Sequence, residues 1–225
     1  MSGRLAALLG AALALAALAA IWSLRLSVAQ EVYVSELGAV GMPTAGAFQV
    51  ALLLLVAGAL LIAFAGRSLR SRARILRAWA PSVTLAVSAG FFLLAAQVPC
   101  TLGCPMPYGP RFTWPDFVHT TAATLAFAAA AWGMLQLAFA VGHRAMRRFS
   151  AIAAVLVAAV SAAGGLLSLF SVPTRLGGSL EIVATTVGLA WIACLGLALG
   201  LGSSAPHDAD RVAAHRDEEL VGQGD

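Results

Sequence analysis

Six runs of apolar residues, each about as long as a bilayer is thick, divide this chain and constrain its fold more than any motif in it. A spanning helix needs about 20 mostly apolar residues. The runs are Leu5–Val28, Ala47–Gly66, Pro81–Val98, Phe117–Val141, Phe149–Phe170 and Ser179–Gly202. Within lipid, every backbone N–H and C=O must find a partner inside the protein, which leaves only helices and closed barrels. Barrel strands alternate in polarity over roughly 10 residues, whereas these runs are longer and do not alternate. The sequence therefore predicts an all-α, polytopic transmembrane bundle of six helices. Composition agrees. The chain is 60% hydrophobic and 11% charged, against about 45–50% apolar and about 25% charged in soluble domains.

All 14 basic residues are arginine, and the formal charge is +4. Their placement is that of a topology signal. The second connector carries Arg67, Arg70, Arg72, Arg74 and Arg77, and the fourth carries Arg144, Arg147 and Arg148. Arg4 precedes the first run, and Arg211 and Arg216 lie beyond the last. The other connectors and their flanks hold only Arg25, Arg111 and Arg175. The positive-inside rule then predicts both termini in the cytoplasm. It places the loops after spans 1, 3 and 5 on the extracytoplasmic side of the plasma membrane. No basic groove with interleaved aromatics is present, so the expected partner is the lipid bilayer and not nucleic acid.

Two segments follow: a six-helix transmembrane domain over 1–202, and a polar tail over 203–225 that reads as a disordered cytoplasmic end. The small residues Ser27, Val28 and Ala29 suggest a cleavage point after the first run. However, that run exceeds the roughly 7–15 apolar residues of a signal peptide. Cleavage would leave the remaining topology unchanged. No Walker A loop, G-x-S-x-G or H-E-x-x-H occurs. Within the spans, the Ala- and Gly-rich stretches read as close-packing surfaces. Pro81 fits the first turn of the third span, and Cys194 reads as a packed small hydrophobe.

The polar residues that remain concentrate in the odd-numbered loops. A compact bundle would gather Ser35, Glu36, Cys100, Cys104, Asp116, His119, Arg175 and Glu181 on one outer surface. Cys100 and Cys104, on the oxidising side, read as a disulfide, with Gly103 letting the short loop turn. The alternative is a metal site that joins the thiols to His119 and Asp116. Pro115 suits a helix start, which would put Asp116 at the positive end of the fourth helix and His119 one turn deeper on the same face. The pair reads either as a capping carboxylate with a hydrogen-bonded histidine, or as a proton-handling or metal-binding pair. A buried Glu181 would have to face the bundle and not lipid.

Taken in order, Tyr33–Ala39 with Gly41, Pro43 and Ala45, then Pro-Cys-x-x-Gly-Cys-Pro at 99–105, then Asp116 and His119, then Gly178, Leu180, Glu181 and Trp191 form a pattern. This resembles the six-span integral membrane family of bacteria and archaea known as domain of unknown function 998. The resemblance runs from about Leu5 to Gly202. It implies the six-span architecture and marks Ser35, Glu36, Cys100, Cys104, Asp116, His119 and Glu181 as motif-bearing. It implies no activity and no cofactor. Arg175 does not fall beside Glu181, where the resemblance leads one to expect a basic residue.

Three functions compete. The first is a non-enzymatic protein whose capped outer surface binds a lipid, small molecule or protein partner, and it is motivated by the absence of a nucleophile–base set. The second is a membrane-embedded, metal-dependent hydrolase or transferase using the outer Asp/His/Glu cluster. The third is a small transporter, ranked last because polar groups are sparse at mid-span.

Overall fold

The computed structural model describes residues 2–105, 109–140, 144–169 and 174–202. The tail 203–225, with Arg211 and Arg216, lies outside the described residues, as do the expectations attached to it. Six α-helices occur among the described residues: α1 (Gly3–Ser27), α2 (Ala45–Ala65), α3 (Pro81–Gln97), α4 (Trp114–Ala138), α5 (Arg144–Leu169) and α6 (Thr174–Leu201). Each packs against the next in sequence, and α6 returns to pack on α1, so the bundle closes into a ring. The described residues form no strand, only one isolated bridge between Ser71 and Ala140.

Five helices are long and apolar enough to cross a membrane. The exception, α3, has 17 residues, or about 26 Å at 1.5 Å per residue, the lower limit for a span. Its entry is set by Pro81 in the first turn, where a missing N–H leaves nothing unpaired. At that end Gln136 of α4 donates to Leu76 O at 3.1 Å and Trp79 O at 2.8 Å. The connector into α3 is thus drawn against the bundle, and its short turn Ile75–Arg77 buries Leu76.

The closest helix crossings use residues without side chains, as expected where helices pack in lipid. A β-carbon on Gly10 of α1 would lie 2.7 Å from Gly58 O of α2, and one on Gly58 would lie 2.8 Å from Gly10 O. On the other side of α1, a β-carbon on Gly196 of α6 would lie 2.8 Å from Ala7 O. The core is built mainly from Ala, Leu, Val and Ile, and its largest fully buried side chain is Trp191. This residue is 1% exposed, and its indole N–H donates to Ser150 Oγ at 3.0 Å. Cys194 corrects the sequence reading. It is exposed on the outer face of α6, so it is not packed within the core.

The arginine-bearing connectors lie at one end. Arg72 N–H donates to Phe139 O at 2.9 Å, Arg147 Nε donates to Ala138 O at 3.1 Å, and Arg4 reaches Gly202 O at 2.8 Å. Residues 28–44, 98–105 and 109–113 and the first turns of α6 meet at the opposite end, the cap.

Candidate functional site

The cap is a set of loops held by side chains from helix ends. Connector α1–α2 forms a short 3-10 turn at Ser35–Gly38. Its leading N–H groups need an acceptor, as at the start of any helix. Glu181 of α6 supplies it, accepting from Val34 N at 2.7 Å and Ser35 N at 3.2 Å, with the Ser35 hydroxyl at 3.5 Å. Glu36 reaches back within the same turn and accepts from Tyr33 N at 2.8 Å. Thr44 closes the connector by donating to Leu37 O at 2.7 Å. Glu36 is buried, and that burial pushes its carboxyl above the usual carboxylate range, against the smaller opposing effect of the Tyr33 N–H.

The α3–α4 connector is held by Asp116. Its carboxylate accepts from Thr101 N at 2.7 Å and Thr113 N at 2.8 Å. The hydroxyls of Thr101 and Thr113 add contacts at 3.0 and 2.6 Å. Asp116 is 0% exposed, and four donors occupy its two oxygens. Thr113 precedes α4, so Asp116 sits in the first turn and returns to the capping position, as the Thr-x-x-Asp spacing of a capping box allows. Connectors α1–α2 and α3–α4 are joined directly, since Val40 N donates to Cys100 O at 2.9 Å.

His119 lies one turn into α4 and is 5% exposed. Its Nδ1 faces Val98 O at 2.9 Å and Ala95 O at 3.0 Å. Both partners are acceptors, so Nδ1 carries the proton and the lone pair is on Nε2. Gln49 of α2 donates to Ala96 O at 3.1 Å. The last carbonyls of α3, which have no partner within the helix, are therefore capped from α2 and α4.

Cys100 and Cys104 form a disulfide with Cα atoms 5.2 Å apart. Gly103 between them has φ +84°, a conformation that side-chain-bearing residues rarely adopt. A loop with a sequence separation of 4 gives a loop-closure stabilisation of about 2 kcal/mol. Alkylation of the unreduced, denatured protein is expected to label Cys194 alone. Reduction is expected to lower the unfolding free energy by about 2 kcal/mol. Labelling of all three cysteines without reductant would refute the bridge.

Among the described residues, no hydrogen bond or ion pair joins Glu36, Asp116, His119 and Glu181 to one another. Glu181 and Glu36 serve the α1–α2 turn, while Asp116 and His119 serve the two sides of the α3–α4 connector. Arg175 lies 3.8 Å from Glu31, which also pairs with Arg25 at 3.2 Å, and Glu181 is held by backbone N–H groups. The sequence reading passed over Thr101, Thr113 and Gln49. The Thr-x-x-Asp spacing could have revealed Thr113, whereas no local signal marks the other two.

Beside His119, between the first turns of α2 and the last turns of α3, is a cavity of about 130 Å³. Phe48, Leu52, Ala95 and Pro99 form apolar walls, and Gln49 and His119 supply the polar groups. Gln49 is exposed, so the cavity is a notch in the flank of the bundle.

Residues 5–198 match the family described as protein of unknown function (DUF998). The chain belongs to this family. The match takes in α2 to α5 of this DUF998 chain entirely, all but the outermost residues of α1 and α6, and every residue of the cap described above. No curated protein and no solved structure matches the chain.

Proposed function

We propose that this multi-pass membrane protein binds an amphiphilic lipid in the notch between α2 and α3, at an extracytoplasmic cap. The observation that carries this reading is the notch itself. It is apolar along its walls, it opens on the flank where lipid lies, and its polar groups are His119 and Gln49. Its volume of about 130 Å³ equals roughly four waters at about 30 Å³ each, enough for a short acyl segment or a compact polar group. The extracytoplasmic assignment follows from the arginines gathered at the other end, which the positive-inside rule puts in the cytoplasm with both chain ends. The plasma membrane is the membrane this reading implies.

The carboxylates that a hydrolase or transferase would use are already engaged. Asp116 accepts from two threonines, and Glu181 and Glu36 hold the α1–α2 turn. That favours clamping over catalysis. The cavity at the centre of the ring, about 40 Å³, is lined by apolar residues such as Leu55, Phe92, Phe127 and Met134. Ser88, also in its wall, donates to Ala126 O at 2.9 Å, so the centre offers little to a polar cargo.

The test is lipid retention. Native mass spectrometry of the protein extracted in mild detergent is expected to show bound lipid. Ala45→Phe, which fills the mouth of the notch, is expected to lower the bound fraction about tenfold, equivalent to about 1.4 kcal/mol. Equal retention by Ala45→Phe and the unaltered protein would overturn the reading.

A further inference from the structure

We propose that opening the Cys100–Cys104 bridge converts this corner of the cap into a two-thiolate, one-imidazole site for a thiophilic divalent cation of the zinc class. The two sulfurs and an imidazole nitrogen of His119 all lie within 4.8 Å of one another. A bridged pair of sulfurs has no thiolate to offer, so the same atoms are either bonded to each other or available to a metal.

The surroundings of His119 fit a ligand. Metal-binding histidines usually donate their second ring N–H to a carbonyl or carboxylate, which fixes the tautomer and the ring plane. Here Nδ1–H is held by Ala95 O and Val98 O at 3.0 and 2.9 Å, so in the neutral ring Nε2 is the nitrogen with a lone pair to offer. Cys100 is fully buried and Cys104 is half-buried. A cation here would be shielded on one side and reachable on the other. Asp116, the other metal candidate from the sequence, is not part of the cluster and is saturated by Thr101 and Thr113.

The chemistry balances with a dithiol as reductant. One thiolate of the dithiol attacks Sγ of the more accessible Cys104, the protein disulfide breaks, and Cys100 leaves as a thiolate. The second thiol of the reductant then attacks the mixed disulfide and releases Cys104. Two electrons pass to the protein, and the dithiol becomes a disulfide. Binding of the cation displaces two thiol protons. Three protein ligands leave one coordination position open.

This inference does not depend on lipid occupying the notch, and Ala45→Phe leaves the three ligands in place. The experiment uses the full chain in detergent, reduced with a phosphine under inert gas and titrated with Co²⁺ as the probe. A thiolate-to-cobalt charge-transfer band is expected in the reduced protein only, saturating at one ion per chain and abolished by added Zn²⁺. His119→Ala is expected to weaken Co²⁺ binding at least about tenfold. Should that variant fail to fold, His119→Gln keeps an N–H donor for the α3 carbonyls while removing the imidazole, and the same weakening is expected. Absence of the band in the reduced unaltered protein would overturn the proposal. So would Co²⁺ binding by a folded His119 variant that equals that of the unaltered protein.

Discussion

Asp116→Ala is expected to unfold the cap and lower the stability of the whole bundle by about 3–5 kcal/mol, the range for removing one partner from a buried charged network. The substitution strands the N–H groups of Thr101 and Thr113 together with both hydroxyls. Water cannot easily replace a carboxylate that is 0% exposed. Asp116→Asn nearly preserves shape but turns an amide NH₂ towards groups that are themselves donors, so it too is expected to be strongly destabilising. Thermal unfolding in detergent measures both. A loss below about 1 kcal/mol for Asp116→Ala would show that the threonines find other acceptors and that the carboxylate is not the clamp.

Gly58→Val is expected to force α1 and α2 apart, at a cost of about 3 kcal/mol, the upper part of the usual range for overpacking. A β-carbon at position 58 would be 2.8 Å from Gly10 O and 3.2 Å from Leu13 Cβ. The first obstacle is backbone, so no rotamer change relieves it. Gly90→Val is the matched control, because nothing lies within 4 Å of a β-carbon there. Its effect is expected to stay within the roughly ±0.5 kcal/mol of an ordinary exposed substitution. Comparable losses at both positions would mean that helix propensity, and not the crossing, sets the cost. The readout is again thermal unfolding, with the two variants measured side by side.

Elements whose cause is local could be read from the sequence. Apolar length located all six helices to within a few residues, except that α5 begins at Arg144, ahead of the apolar run at Phe149, and α6 begins at Thr174. Polar residues continue a helix past the hydrocarbon, where hydropathy carries no signal. Pro115 and Asp116 marked the start of α4 because a proline and an acid in the first turn act within that turn. The partners of these groups were not legible. Thr101 is 15 residues from Asp116, and Ser35 is 146 from Glu181. No periodicity links such positions, because the ring of helices alone brings them together. For the same reason, a list of polar residues at one end of the bundle did not disclose that they divide into two pairs, Glu36 with Glu181 on one connector and Asp116 with His119 on the other. Cys194 shows the converse: from Val187 onward α6 is apolar on all sides, and hydrophobicity alone does not tell its lipid face from its buried face.

The closure of the ring by α6 also bears on biosynthesis. Val34 is paired with Glu181, 147 residues later in the chain. At about 5–20 residues per second, the ribosome needs about 7–30 s to make the intervening segment. Throughout that interval the turn lacks the carboxylate that accepts from its leading N–H groups in the finished fold. The α1–α2 hairpin can form early through Gly10 and Gly58, but its cap is completed only when the last helix enters the membrane. Insertion of α6 is therefore the step that locks the earliest-made loop. Truncation before Glu181 would leave the α1–α2 turn without the carboxylate that holds it.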